Sequence, residues 1–340
     1  MDLTIKKEML DEIREILSSA KNNISNAVNN ELVIAYWNIG RVIVENEQAG
    51  SDKAGYGDKT LLELSKALTK EFGKGFSRSN VYTMRQFYLK YPKIQTVAGK
   101  LSWSHYSELL LISDDEKRAF YEKEAISNKW SKRELKRQIN TSLFERLLLS
   151  KDNLSRKEVI ELSKKGQEIT KPEDIIKDPY VFEFLDIPEN KPILESDLEK
   201  ALVAHIEKFL LELGKGFMFV GTQQRVTVGN EHYYVDMVFY NKILHCYILI
   251  ELKTKKLMPS AAGQLNMYLN YYKTEINEDG DNDPIGIIMC TDKDNVSVEY
   301  SLGGYENKIF ASKYTLVLPN KEKLIEQVNK VIDDFNKKNN

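Results

Sequence analysis

The sequence predicts an α/β protein in two parts: an all-helical N-terminal domain reaching to about residue 150, and a C-terminal α/β domain with a small mixed sheet. Three observations carry this. From the N-terminus through LSWSHYSELLLISDDEKRAFYEKEAISNKWSKRELKRQINTSLFERLLL, apolar and aromatic residues recur at helical spacing. Past residue 195, β-rich runs appear, EHYYVDMVFYN and HCYILIELKTKK, bounded by polar turn residues. The order there is helix, strand, strand, strand, helix, strand, a short helix or turn, and a last strand, which suits a mixed sheet flanked by helices.

Composition narrows the classes. With 340 residues and 42% hydrophobic content, the chain can bury two cores. The two cysteines, Cys246 and Cys290, are too few for a disulfide framework, so a reducing cytoplasm is the expected compartment. MDLTIKKEMLDEIREIL has acidic residues throughout and no signal-type apolar core, and no window approaches about eighteen continuous apolar residues, so no membrane association is expected. The four histidines form no ligand cluster with cysteine, which argues against zinc, and no phosphate-binding glycine loop is present.

In chain order, DEIREIL begins as an amphipathic helix. Residues 51–100 hold ten Lys or Arg against four Asp or Glu, a balance of +6 within a chain of net charge −2. That basic window reads as a helix KTLLELSKALTKEF, a turn GKG and a second helix SRSNVYTMRQFYLKY with Ser77 as N-cap, a helix-turn-helix candidate. On the second helix Val81, Met84, Phe87, Tyr88 and Tyr91 follow the helical period inward. Arg78, Asn80, Tyr82, Arg85, Gln86 and Lys90 are left outward, and of these Arg78, Asn80, Arg85, Gln86 and Lys90 are the nucleic-acid-contact candidates. Trp37, Trp103 and Trp130 are expected core anchors of this domain, residues 1–150. Residues 151–194, with breaks at KPED, KDP and NKP, read as a connector, and residues 195–340 as the α/β domain. GKGF occurs twice, each time after a helical pattern, so Gly73 and Gly214 are expected C-caps. EKLIEQVNKVIDDFNKK reads as a final amphipathic helix.

Chemistry concentrates on the strands. Glu134-Leu135-Lys136 and Glu251-Leu252-Lys253 have the same spelling, but the first lies in a charged amphipathic helix and reads as a solvated face. The second closes an apolar strand, where alternation puts Glu251 and Lys253 on one face and Ile248, Ile250 and Leu252 on the other. One hairpin upstream, with Asn241 and Lys242 as the turn, Asp236 interrupts an apolar and aromatic strand. A carboxylate in a half-buried strand is costly unless it is paired or binds a metal, so a structural ion pair with Lys253 or Arg225 stands beside a metal site as an explanation. The next element, PSAAGQLNMYLNYYK, carries Gln264 and Tyr268 four apart on a helix.

Asp, then Glu-x-Lys, then a helix with Gln-x-x-x-Tyr resembles the PD-(D/E)XK nuclease superfamily. The stretches LEKALVAHIEKFLLELGKGFMFVGTQQRV, YYVDMVFYNKIL, IELKTKKLMPSAAGQLNMYL and YGDKTLLELSKALTKEFGKGFSRSNVYTMRQFYLKYP resemble its YhcG-like branch over nearly the whole chain. Val235 stands where the superfamily's nickname has proline. The resemblance implies a restriction-endonuclease-like α/β fold and a divalent-metal-dependent nuclease, with DNA as the expected substrate and Mg²⁺ or Mn²⁺ as cofactor. It implies Asp236, Glu251 and the backbone carbonyl of Leu252 as metal contacts, Lys253 as the group beside the scissile phosphate, and Gln264 as a positioning residue. A further acid on the preceding helix is implied, Glu199 in preference to Glu207, while Tyr268 is expected to pack and line the cleft. Because a single such site cuts one strand, a double-strand cutter would be a homodimer. A nucleic-acid-binding scaffold that keeps the fold without catalysis is the alternative, and RNA is a substrate that a phosphate-centred site does not by itself reject.

Overall fold

A computed structural model describes residues 7–49, 54–151, 154–188, 192–293, 298 and 301–338. The chain divides into two compact units, residues 1–136 and 137–340.

The first unit is helical, with α1 Lys7–Ala49, α2 Ala54–Phe72, α3 Arg78–Lys90, α4 Trp103–Leu109, α5 Asp115–Ser127 and the start of α6 Lys132–Asn140. The amphipathic heptapeptide read at the N-terminus is part of a helix of 43 residues. Its second half buries one face, Val33, Trp37, Ile43 and Val44. Gly40 lets α3 approach α1 closely, since a Cβ there would lie 2.1 Å from the Met84 carbonyl oxygen. Ser77 caps α3 as its sequence predicts, its hydroxyl accepting from the Asn80 N–H at 3.3 Å. Val81, Met84 and Phe87 are buried, so the inward face of α3 is the expected one, but it packs on α1 as well as on α2. Trp37 donates from Nε1 to the Tyr91 carbonyl at 2.6 Å, and Trp103 packs against Tyr36 and Phe87.

The second unit adds α7 Leu143–Leu149, α8 Arg156–Lys165, α9 Glu195–Ala204, α10 Ile206–Leu213, α11 Pro259–Tyr271 and α12 Lys321–Lys338 to six strands. These are β1 Tyr180–Val181, β2 Phe217–Val228, β3 Glu231–Asn241, β4 Cys246–Leu252, β5 Ile285–Cys290 and β6 Lys308–Thr315, in the order β1-β6-β5-β4-β3-β2. β2, β3 and β4 are antiparallel neighbours; β4, β5, β6 and β1 run parallel. The fold is α/β with a mixed sheet, as the pattern predicts.

Strand alternation assigns the two faces. Met237, Phe239, Ile248, Ile250 and Leu252 pack with Leu198 and Leu202 of α9 and Phe209 and Leu213 of α10. Val238, Leu249 and Ile288 pack with Ala262, Leu265, Tyr268 and Leu269 of α11. Both faces of β4 are therefore covered, which explains its continuous apolar run.

Four details differ from the sequence reading. The segment read as a connector contributes β1, paired with the C-terminal strand β6, so Tyr180 and Val181 are core rather than linker. Helical residues from Arg137 onward group with the α/β unit, ahead of the boundary read near residue 150. The single helix read to carry both Glu199 and Glu207 breaks at His205 into α9 and α10. The β3–β4 turn runs from Lys242 to His245, longer than a two-residue turn, with the Asn241 side-chain oxygen accepting from the Ile243 and Leu244 N–H groups. Gly73 and Gly214 take positive φ, +85° and +106°, just past α2 and α10, as expected of C-caps. Both cysteines are buried free thiols, and no helix among the described residues is long and apolar enough to cross a membrane.

Candidate active site

The β3–β4 ladder ends in the pair Met237 and Ile250, and one step beyond it lie Asp236 and Glu251. Residues opposite each other on antiparallel strands share a face. The two carboxylates therefore meet at the end of the ladder because of strand register. The Leu252 N–H donates to Asp236 Oδ2 at 2.8 Å, fixing the carboxylate against the Glu-Leu-Lys tripeptide.

Lys253 follows β4 directly, and its backbone N–H is held by the Met289 carbonyl at 2.8 Å. Its Nζ donates to Glu251 Oε1 at 2.8 Å and to Glu195 Oε2 at 3.3 Å. The other oxygen of Glu251 is buried and has no hydrogen-bond partner among the described residues. Burial, the neighbouring Asp236 and, more weakly, Glu195 push Glu251 up to about 7, against the pull of Lys253. Burial likewise lifts Asp236 above the usual carboxylate range, with the Leu252 N–H and Lys253 opposing. Burial works against the Lys253 charge, yet Glu251, then Glu195 and Asp236, hold it above the usual lysine value.

Around this core sit two side chains beyond the sequence candidates. Glu195, in the first turn of α9, accepts from the Thr254 N–H at 3.2 Å as well as from Lys253. Gln223 bridges Glu199 Oε2 at 2.7 Å and Asp236 Oδ1 at 3.5 Å from a backbone with φ of +47° inside β2. Glu195 and Glu199 stand four apart on one helix face, a spacing visible in the sequence. The conformation of Gln223 has no sequence signal, because left-handed backbone in a strand is foreign to glutamine.

Glu199 thus joins the cluster through Gln223, and burial raises its pKa, with Asp236 adding to the rise. Glu207 is exposed on α10. Gln264, exposed on α11, donates to the Tyr268 hydroxyl at 2.6 Å, and Tyr268, buried in the core beneath α11, donates to the Tyr234 carbonyl at 3.2 Å. Arg225, the alternative ion-pair partner, is exposed.

The donor set suits a hard divalent cation: two carboxylates at one strand end, one with an oxygen that is buried and uncompensated. Asp236 and Glu251 could hold it with the carbonyl of Leu252. Among the described residues no three His, Cys, Asp or Glu side chains cluster tightly enough to form a ligand cage of their own. Mg²⁺ does not require one, because it keeps waters and takes substrate oxygens.

In the helical unit the nucleic-acid candidates fare unevenly. Arg85 is half-buried and pairs with Glu47 at 2.7 Å, Lys90 pairs with Asp115 at 2.9 Å, and the Asn80 side chain donates to the Gly75 carbonyl at 3.1 Å. Arg78 is exposed and Gln86 half-buried.

Comparison with known proteins shows the family of the chain. A family model described as DUF1016 N-terminal domain matches residues 12–146, and one described as YhcG PDDEXK nuclease domain matches residues 173–329. A repair endonuclease from Pyrococcus abyssi and an EndoMS complex with double-stranded DNA align with 39% and 40% of this chain and half of their own chains, at 16% identity and TM-scores of 0.26 and 0.27, too low to bear on function. The protein described as "Putative nuclease YhcG" of Escherichia coli (strain K12) is 34% identical across 95% of this chain and 93% of its own length. With both family models and that full-length relative in register, this chain belongs to the YhcG family of PD-(D/E)XK nucleases.

Proposed function

We propose that the chain is a divalent-metal-dependent nuclease that hydrolyses phosphodiester bonds, acting as a DNA endonuclease with Mg²⁺ or Mn²⁺. The observation that carries this reading is the meeting of Asp236, Glu251 and Lys253 at one strand end, with a Glu251 oxygen left buried and unbonded. A cation held by Asp236, Glu251 and the Leu252 carbonyl supplies Lewis acidity and positive charge against the phosphate.

The chain's own groups then divide the work. Lys253, kept protonated by its carboxylate neighbours, offers Nζ to the negative charge that grows on the phosphate in the transition state. On substrate binding it has to leave part of its contact with Glu251. Glu195 gives it a second anchor and holds the Thr254 backbone, so the lysine is aimed rather than free. Glu199 and Gln223 orient Asp236 from the α9 side. Gln264, exposed on α11, positions substrate, while Tyr268 supports it from the core. In the helical domain Arg78, Asn80, Arg85, Gln86 and Lys90 face nucleic acid in a helix-turn-helix manner.

The test is cleavage of supercoiled, linear, single-stranded and branched DNA, with RNA alongside, by wild type, Asp236→Ala and Lys253→Ala in Mg²⁺ and Mn²⁺. Metal-dependent products that fall at least about a hundredfold in both variants are expected, with metal binding lost only in Asp236→Ala. The Lys253–Glu251 ion pair favours one other reading, a scaffold in which lysine replaces the cation. No cleavage of any substrate, with DNA binding indifferent to EDTA, would select it.

A further inference from the structure

Residues 9–28 of α1 are exposed on every side. This stretch is ill suited to stand as a lone helix. Between Ser18 and Asn30, eight residues are Ser or Asn, whose side chains compete with the helix for backbone groups. Helical segments of such composition draw their stability from packing rather than propensity. A partner surface is therefore needed.

The apolar residues say what shape it has. Leu10, Ile13, Leu17, Ala20, Ile24 and Ala27 step by alternating threes and fours, the a and d positions of a coiled coil. They are not core residues of their own unit: Leu17 is 55% exposed and Ile24 67%. No charged residue interrupts the seam.

We infer that this stripe is the seam of a parallel coiled coil with a second copy of the same chain. An a/d seam is self-complementary, so a twofold axis lets the same knobs and holes meet on both helices. The alanines at two d positions let the backbones come close. In the parallel arrangement Arg14 and Lys21, at e positions, lie across from Met9 and Ile16 at g, where their aliphatic stems extend the apolar contact. The antiparallel arrangement would set Arg14 and Lys21 against each other. Covering the seam and its apolar flanks removes on the order of 700 Å² per protomer, about 1,400 Å² per pair, within the range of stable specific interfaces.

The test is the mass of the full chain by light scattering at micromolar concentrations, for wild type and for Leu17→Glu combined with Ile24→Glu, with far-ultraviolet circular dichroism on both. Both positions are exposed within the protomer, so the variant keeps its cores. The expected result is a wild type at twice the 39.3 kDa chain mass and a monomeric variant that has lost helical signal. A wild type that stays monomeric would overturn the inference, and so would a variant that associates as wild type does. Protection of residues 10–27 from hydrogen exchange in a monomeric wild type would assign the stripe to another part of the chain, which also overturns it. Mass reads this independently of any nuclease activity.

Discussion

Glu212 and Glu251 are the same residue type, both buried to within 2% of full burial in the α/β unit, and they have opposite electrostatics. Glu212 is surrounded by donors: Arg146 Nη1 at 2.5 Å, Arg137 Nη2 at 3.0 Å and the Val181 N–H at 3.0 Å, with Lys177 on its own carbonyl. Although burial opposes ionisation, Arg146, then Lys177 and Arg137, hold its pKa down at about 2. Glu251 has one cation and one orphaned oxygen, and stands at about 7. A buried carboxylate with both oxygens bonded and cations around it is a strut. One left short of positive charge is held ready for more, and that shortage separates a site from a scaffold contact.

The largest expected effect breaks the strut. Glu212→Gln leaves Arg146 and Lys177 buried without their counter-charge, and should destabilise the α/β unit by about 3–5 kcal/mol in urea unfolding. A loss under about 1 kcal/mol would mean that water or other acceptors replace the carboxylate, and the contrast would fail.

Acid sharpens the same contrast. In the unfolded chain Glu212 returns to its ordinary value of 4.5, above its folded value of about 2. The unfolded state therefore binds more protons between these values, so this contribution is complete above about pH 5 and is lost as pH falls toward 2, a change of roughly 3 kcal/mol. Urea midpoints for wild type minus Glu212→Gln, measured from pH 6 to pH 3, should shrink steadily. A pH-independent difference would show that geometry rather than charge matters there.

How much of this contrast the sequence discloses depends on how local its causes are. Asp236, Glu251 and Lys253 come together through strand alternation and the register of one hairpin, both written in about twenty residues, so their meeting is legible. Glu212 sits in LLELGKGF and looks like any polar helix residue, because its partners come from positions 137, 146 and 177. Gln223 is hidden by a backbone conformation that no propensity suggests. The break between α9 and α10 falls at His205 without glycine or proline, and β1 is two residues long in a polar stretch, so neither offers a pattern to count. The length of α1 is obscured for a physical reason: its Ser and Asn content argues against helix until a partner surface is supplied.

At the site end, Glu251→Gln should cost little stability, within about 1 kcal/mol of wild type, because it removes an under-compensated charge while keeping shape. What it should lose is linkage to metal. Mg²⁺ or Mn²⁺ at about a hundred times its Kd should stabilise wild type by about 2.7 kcal/mol and the variant by far less. Thermal midpoints with metal and with EDTA read both quantities. If Glu251→Gln proved as damaging as Glu212→Gln without metal, Glu251 would be a second strut.

The smallest expected effect concerns Tyr268, which lies between core and site. Its hydroxyl accepts from Gln264 and donates to the Tyr234 carbonyl on β3, two residues before Asp236. Tyr268→Phe keeps the ring that α11 buries and removes only these two bonds, so a loss of about 1 kcal/mol is expected. If Tyr268 only supports the strand, cleavage should fall by a few-fold at most and metal affinity should hold. A fall as deep as that of Lys253→Ala, at unchanged stability, would move Tyr268 from the core into the reacting groups and redraw the line between the two regions one helical turn deeper into α11.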